Sequence, residues 1–511
     1  MKFVFLIVVI LSEFAERTGS LVVRPHNSYS TRIWRIRVQA AIGLMRSHPC
    51  VNSQTSHNCN RIPRIPLQDM NVYIASKSHL NERLRARLPD RKHRSLLPND
   101  RNIDGVIVID PYPEANFGHL VYIFFVEENR SHLNCTRNLT ATFTGAGDCI
   151  IAATKSHCKN AVSIKKRKKC YIDFLPLVFA DGDTTRSQKL SCQDRLFGFG
   201  KCRPISSSRS SHQRCANSPR CLNNPKPPRK TCFYQSCDYA VLVSGGWAPL
   251  TDHPRHAYNV KNFWKFLIDN KFDKKNIATF YGSDGNIELD GDRSTRDALP
   301  AITDVGISDY VSKLCRALWC VDTLVLYLTG PARSNGALLM WDINADGLTE
   351  NKEMYSIYEI FKNLRHCNAK RVFIIADYSY SGHLSQRLHE LKRHRHRKSY
   401  SHITVLTSSQ SNEYSWRNEF TQTLIKYGKQ NVTKSVHELF QDVKDNFKKR
   451  GIHSTPTLAN GLHNTSNVTI YGGKSGEQWS TASNSSMGCH GISITEYSKG
   501  HKMLKLKKDN S

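Results

Sequence analysis

A serine that follows an apolar run in the second half of the chain has the residue type and position of a nucleophile. The run Arg371–Ala376 leads directly into Asp377 and, two residues later, Ser379. A serine hydroxyl becomes a useful nucleophile only when a positioned base accepts its proton. His383 and His256 are candidate bases, but no spacing in the sequence directs either imidazole towards Ser379. A hydrolase or transamidase that uses Ser379 is therefore the less favoured interpretation.

The segments around Ser379 and around an earlier strand end resemble the caspase/legumain superfamily of cysteine peptidases, over about residues 233–449. That family has one strand ending in Gly-His-Gly and a later strand ending in Asp-x-Cys-x-Ser-Gly. The later motif here is Asp377-Tyr-Ser-Tyr-Ser-Gly382, with Ser379 in the position of the cysteine. The earlier strand ends in Thr329-Gly-Pro-Ala332, with Pro331 in the position of the histidine.

The resemblance also implies a substrate-like cleft. Arg255 and His256 lie where legumain-like enzymes have an Arg-His pair whose arginine lines the primary specificity pocket. The stretch that ends at Ser408–Glu413 resembles the substrate-facing loop that follows the nucleophile. The cleft residues implied in this way are Arg255, His256, Asp377, Ser379, Ser408 and Glu413.

Both catalytic roles of the family are changed, which predicts a pseudo-peptidase. A cysteine works because its thiolate forms near neutral pH, whereas a serine hydroxyl is a far weaker acid. Proline has no titratable group, so Pro331 cannot replace the base. We expect catalysis to be absent at the degenerate pair Pro331 and Ser379, and the protein to act as a binding, scaffold or decoy protein.

A twelve-residue segment matches an EF-hand-type calcium loop. Oxygen-bearing side chains fall at positions 1, 3, 5, 9 and 12, and Gly347 occupies position 6, where the loop turns sharply. Calcium requires six or seven oxygen ligands. The predicted Ca²⁺ ligands are Asp342, Asn344, Asp346, the carbonyl of Leu348, Glu350 and Glu353. A helix is predicted over 352–364. The alternative is a capped helix start that follows an Asx-rich turn.

Short apolar runs alternate with helical patterns after residue 238, which predicts the elements that position these residues. Continuous apolar runs are typical of parallel strands buried on both faces. Alternating strands and helices indicate an α/β fold with an open, mainly parallel sheet and helices on both faces. Its binding site is expected beyond the carboxyl ends of the strands. The runs are 239–244, 277–281, 323–328, 371–376 and 403–407, and one helix face should carry Met354, Ile357, Tyr358 and Phe361.

The rest of the chain is expected to divide by composition. Residues 1–20 have the charge, apolar run and small residues of a signal peptide. The Arg-rich segment 21–101, with a dibasic-like site at Arg91–Arg94, is predicted to be a pro-segment or disordered. The remaining divisions are a small disulfide-rich β domain at 102–205, a linker at 206–231, the caspase/legumain-like domain at 232–450 and a glycosylated basic tail at 451–511.

Cysteine usage favours an oxidising compartment. Ten of the 16 cysteines lie between Cys135 and Cys237, and disulfides explain them, and Cys367, better than zinc ligation or catalysis does. Seven glycosylation sequons agree with export. They are Asn129, Asn134, Asn138, Asn431, Asn464, Asn467 and Asn484. The predicted location is extracellular, and no run is long enough for a transmembrane segment.

The net charge of +30 predicts attraction to polyanions such as heparan sulfate. Two clusters concentrate the charge, at 165–169 and 392–398. No nucleic-acid-binding motif occurs, so an extracellular protein or peptide is the favoured partner. One further alternative stays open: cleavage after Arg94 could release a Cys-rich signalling domain from a secreted precursor.

Overall fold

The described residues form two large sheets with flanking helices, and two further sheets of two strands each. The computed structural model describes residues 28–50, 59–89, 103–116, 118–137, 140–153, 174–203, 235–282, 287–289, 298–316, 321–393, 397–431, 434–461, 465–470 and 489–491. The helices are α1 Ser28–Ser47, α2 His132–Thr136, α3 Pro254–Asp269, α4 Asp304–Arg316, α5 Ile357–Asn363, α6 Gly382–Arg393, α7 Glu419–Gln430 and α8 Val436–Arg450.

The strands follow the same chain order. They are β1 Asn71–Ser76, β2 Leu84–Arg87, β3 Gly105–Asp110, β4 Tyr122–Glu127, β5 Ala141–Phe143, β6 Cys149–Ala152, β7 Leu177–Ala180, β8 Ser191–Cys192, β9 Gln235–Ser244, β10 Ile277–Tyr281, β11 Leu299–Pro300, β12 Val321–Thr329, β13 Leu338–Leu339, β14 Met354–Tyr355, β15 Arg371–Asp377, β16 Ile403–Thr407, β17 Thr457–Asn460 and β18 Cys489–Gly491.

The larger sheet confirms the predicted fold class. Its order is β11-β10-β9-β12-β15-β16-β17, and all neighbouring pairs are parallel except β16 with β17. A further strand, β18, pairs antiparallel with the start of β9. The five predicted apolar runs all form strands of this sheet. Because parallel neighbours end at the same edge, β9, β12 and β15 bring Ser244, Thr329 and Asp377 into line.

Helices cover both faces of this sheet, as predicted. On one face α4, α5 and α6 bury Val311, Phe361 and Leu388 against alternate residues of the strands. On the other face α3, α7 and α8 bury residues such as Phe263 and Leu424. The central strands β12, β15 and β16 therefore bury side chains on both faces, which is the physical reason for their uninterrupted apolar runs.

The N-terminal half forms a second, antiparallel sheet. Its order is β5-β6-β4-β3-β1-β8, and α1 packs on one face of it. Strand β1 lies within the segment 21–101 and pairs with β3 over six residues. The antiparallel sheet therefore extends beyond the boundary expected near residue 102, because the apolar side chains of β1 complete its core.

The two sheets share packed side chains. Trp247, Leu339 and Met354 from the parallel-sheet half join the same apolar cluster as Val108 and Phe125 of the antiparallel sheet. Tyr380 and Tyr414 join the cluster on the opposite face of that sheet. The antiparallel sheet is thus packed against the half of the chain that carries Ser379.

Four disulfides within the described ranges agree with the cysteine analysis. They join Cys50 with Cys59, Cys135 with Cys149, Cys192 with Cys202, and Cys315 with Cys367. The expectation that Cys367 is structural is confirmed. None of the helices in the described ranges combines the length and apolarity needed to cross a bilayer.

The helix predicted over 352–364 begins later than expected. Met354 and Tyr355 form β14, which pairs with β13, and Ser356 then caps α5 by accepting a hydrogen bond from the Glu359 amide. Tyr358 is 62% exposed and does not share the buried face of Phe361. The apolar residues Met354 and Tyr355 therefore belong to the β13–β14 pair and not to the helix.

Several predictions fall outside the described residues. They are the signal peptide at 1–20, the site at Arg91–Arg94, the linker at 206–231, the charge cluster at 165–169 and the sequons at Asn138, Asn464 and Asn484.

Candidate functional site

The carboxyl ends of β12 and β15 place the two degenerate positions at one edge of the parallel sheet. Ser379 follows β15 and is fully buried, and Pro331 follows β12 and is also buried. The Thr329 hydroxyl, at the end of β12, donates to the Asp377 carbonyl across 3.1 Å. The strand ends predicted to form the site are therefore adjacent.

The hydroxyl of Ser379 is used entirely within the protein. It donates to the carbonyl of Asn116 at 2.9 Å and accepts from the amide of Ser415 at 3.1 Å. Asn116 belongs to the loop between β3 and β4, some 260 residues earlier in the chain. A main-chain carbonyl accepts this hydrogen bond but is too weak a base to take the proton. The contact with Asn116 therefore does not activate Ser379 as a nucleophile.

Neither candidate base from the sequence is bonded to Ser379. The Nδ1 atom of His256 lies 3.5 Å from the Thr329 hydroxyl, and Nε2 of His383 lies 3.1 Å from the Ser334 carbonyl. Burial, followed by the neighbouring His253 and Arg203, lowers the pKa of His256 to about 3. The imidazole of His256 is therefore neutral at physiological pH.

Asp377 is a buried structural acceptor. Its Oδ1 atom accepts from the Ser415 hydroxyl at 2.8 Å, and its Oδ2 atom accepts from the Thr421 hydroxyl at 2.6 Å and from the Asn259 amide at 3.2 Å. Burial raises the pKa of Asp377, and the hydrogen bonds from Thr421 and Ser415 oppose that shift. The carboxyl group ties β15 to α3 and α7.

The guanidinium group of Arg255, which the resemblance places at a specificity pocket, is hydrogen-bonded to other residues of the same chain. Arg255 is 7% exposed. Its Nη1 atom donates to the Glu114 carbonyl at 3.0 Å and to the Asn116 side-chain oxygen at 3.1 Å. Its Nη2 atom lies 3.5 Å from the Pro113 carbonyl, and its Nε atom donates to His253. The β3–β4 loop thus occupies the guanidinium group of Arg255.

The same loop pairs with the segment 415–417. The Asn116 amide donates to the Ser415 carbonyl at 2.6 Å, and the Arg417 amide donates to the Glu114 carbonyl at 2.9 Å. These two bonds form an isolated antiparallel bridge between Ala115 and Trp416. Residues 114–116 therefore pair with residues 415–417 beside Ser379, directly after a turn that the Ala115 amide closes on the Tyr112 carbonyl.

Gly118 allows this loop to pass close to Pro331 and Ala332. Its φ is +102°, and a Cβ added there would lie 1.9 Å from the carbonyl oxygen of Ala332. The residue must be glycine because both the conformation and the space exclude a side chain. The loop therefore contacts both the Ser379 side and the Pro331–Ala332 side of the site.

The other two predicted cleft residues also make internal contacts. Ser408 is buried and donates to the Tyr378 carbonyl at 3.4 Å. Glu413 accepts from the Thr455 amide at 2.7 Å and from the Thr455 hydroxyl at 3.0 Å. The structure brings Arg255, Asp377 and Ser379 to one site, with Ser408 behind it and Glu413 at its rim.

Sequence reasoning did not find Asn116 or His119. The imidazole of His119 is buried, with Nε2 at 2.8 Å from Asp110 and Nδ1 at 3.3 Å from the Asn116 carbonyl. The only local signal is the cluster of turn-forming residues after β3, which identifies a loop but not its distant contact.

The loop 342–353 adopts a turn in which its carboxylates accept main-chain hydrogen bonds. Asp342 accepts from the amides of Asp346 and Gly347, and Glu353 accepts from the amides of Ile343 and Glu350. The side chains of Asn344 and Asp346 accept from amides two residues ahead. Among the residues described, no three His, Cys, Asp or Glu side chains converge as a metal centre.

Comparison with solved structures finds a similarity to caspase-1 from Spodoptera frugiperda. It covers 48% of this chain and 99% of that chain, with 12% sequence identity and a TM-score of 0.32. No protein-family model matches the sequence, and no curated protein matches it. A likeness at this level carries no argument about activity, which depends on the residues of this chain.

Proposed function

We propose that this protein is a secreted, catalytically inactive relative of the caspase/legumain peptidases that acts by binding, as a scaffold or decoy. One observation supports this most directly. Ser379, which stands in the nucleophile position of the resemblance, is fully buried, and both of its hydrogen bonds go to main-chain groups of the same chain. Pro331, in the position of the base, cannot accept a proton.

A serine-based hydrolase would require a different arrangement of the same residues. A general base must come within about 2.6–3.2 Å of the hydroxyl, directly or through one water. The hydroxyl of Ser379 donates to Asn116 instead, while His383 contacts Ser334 and His256 contacts Thr329. A substrate carbonyl would also have to displace Asn116 before any attack.

Hydrolysis of a fluorogenic peptide library, with calcium present, tests the inactivity. We expect no turnover by the wild type or by the Ser379→Ala variant. Ser381→Ala is the matched control, because this serine is also buried and bonded to a neighbouring hydroxyl, that of Ser409. Turnover by the wild type and by Ser381→Ala that disappears in Ser379→Ala would show a serine enzyme and overturn the proposal.

Calcium binding to the loop 342–353 is part of the same proposal. The donor set suits calcium because carboxylate, amide and carbonyl oxygens are its preferred ligands. Burial, together with the nearby Glu353 and Asp346, raises the pKa of Asp342 to about 7. A cation would offset the cost of placing these carboxylates together. Arg87 donates to the Asp346 carbonyl at 3.3 Å, so a bound ion would brace the contact between the loop and β2.

Export and glycosylation complete the proposal. The four disulfides in the described part of the chain favour an oxidising compartment. Four sequon asparagines within the described ranges are exposed, namely Asn129, Asn134, Asn431 and Asn467. Expression in a secreting cell line tests this. We expect the protein in the medium, with a mobility shift after enzymatic removal of N-glycans, and retention of unglycosylated protein inside the cells would contradict it.

A further inference from the structure

The loop between β3 and β4 makes contacts of the kind that a bound peptide makes. The segment 113–116 presents its main-chain groups to Arg255, Ser415 and Arg417, and its Asn116 carbonyl to Ser379. Main-chain pairing of this kind gives affinity, and the side-chain contacts give specificity.

Two side chains of the segment are recognised by charged or polar partners. The Glu114 carboxylate lies 2.8 Å from Nε of Arg417 and 3.0 Å from Nη2 of Arg203. The Asn116 side-chain oxygen accepts from Arg255 at 3.1 Å. Ala115 between them is 1% exposed, which leaves room only for a small residue. The recognised pattern is acidic, small, carboxamide.

We infer that residues 113–116 are an intramolecular ligand that closes a peptide-binding groove, and that the open groove binds a peptide with this acidic–small–carboxamide pattern in trans. The inference rests on the proposed binding function, since a catalytic groove would cleave such a peptide. A segment tethered in cis has an effective concentration in the millimolar range, so it excludes a free peptide at lower concentration. A partner therefore binds only when the loop is withdrawn.

The Gly118→Val variant tests the inference by expelling the loop. A side chain at residue 118 would collide with the Ala332 carbonyl, so the segment cannot take its place beside Ser379. The probe is a labelled peptide with the sequence of residues 112–116. We expect Gly118→Val to bind it at least tenfold more tightly than the wild type, by fluorescence anisotropy.

Matched variants separate groove binding from general loosening. Gly182 also has a positive φ, +83°, but a Cβ there meets nothing within 4 Å, so Gly182→Val should bind the peptide as weakly as the wild type does. Adding Arg255→Ala to Gly118→Val should abolish binding. A peptide with alanine in place of its Glu and Asn should bind at least tenfold more weakly.

A second measurement applies if Gly118→Val does not fold. The Glu114→Gly/Asn116→Gly variant removes the recognised side chains without a collision and should bind the peptide in the same assay. Failure of every folded, loop-weakened variant to bind would overturn the inference while leaving the inactivity of Ser379 intact. Cleavage of the bound peptide would instead overturn the proposed function.

Discussion

Two histidines beside the site predict a loss of stability in acid. Burial is the first cause that lowers the pKa of His253 and of His256, each to about 3. In the unfolded chain the pKa is 6.5, so between these values the unfolded state binds protons that the folded state does not. Above pH 6.5 the two neutral histidines contribute fully to the free energy of unfolding, and this contribution is lost as the pH falls towards 3.

The size of this effect follows from proton linkage. Each histidine contributes a slope of up to about 1.4 kcal/mol per pH unit in that window. We expect urea unfolding between pH 7 and pH 5 to show the free energy of unfolding falling with acidification. In His256→Gln the slope of the free energy of unfolding against pH should be smaller by the contribution of one histidine. This holds whatever the variant's overall stability. An unchanged slope in this variant would show that His256 does not titrate on unfolding.

Individual residues also mark the limit of the sequence prediction. Asp377 and Ser379 lie at the edge of the sheet where the strand order predicts a site, because strand ends in a parallel sheet share one edge. Arg255 lies on α3, and only the resemblance to legumain-like enzymes placed it near them. Asn116 could not be identified, because the contact between its carbonyl and Ser379 joins two different sheets. The resemblance implied that Arg255 lines a specificity pocket, and the sequence could not show that Glu114 and Asn116 bond to its guanidinium group.

At the scale of elements, burial explains what the sequence could predict. Strands β10 and β16 have the predicted bounds, and β9, β12 and β15 extend them by a few residues, because their runs are apolar on both faces. Strand β1 was missed since it lies among Arg-rich segments and depends on β3 for its pairing. The boundary between 354 and 357 depends on the cap by Ser356, which periodicity alone does not show.

The loop 342–353 carries a prediction at this scale. If calcium binds there, millimolar Ca²⁺ should raise the melting temperature, since a ligand that binds only the folded state stabilises it by mass action. Asp342→Asn/Glu353→Gln should remove this increase. Asp445→Asn is the control, because Asp445 is exposed on α8, which packs on the opposite face of the parallel sheet from α4 and α5, and this variant should keep the full increase. A calcium effect on stability of equal size in all three proteins would place the ion elsewhere.

The whole molecule carries a net charge of +30, and the segment 392–398 at the end of α6 concentrates five of its lysines and arginines. A dense cluster raises the local potential more than scattered charges do, so we expect it to dominate attraction to sulfated glycans. Replacing these five residues by alanine lowers the net charge from +30 to +25 and should reduce the salt concentration of elution from heparin. The control removes five dispersed, exposed basic residues for the same net charge, namely Arg64, Lys201, Lys261, Lys275 and Lys444. Equal elution of the two variants would show that net charge alone, and not the cluster, determines retention.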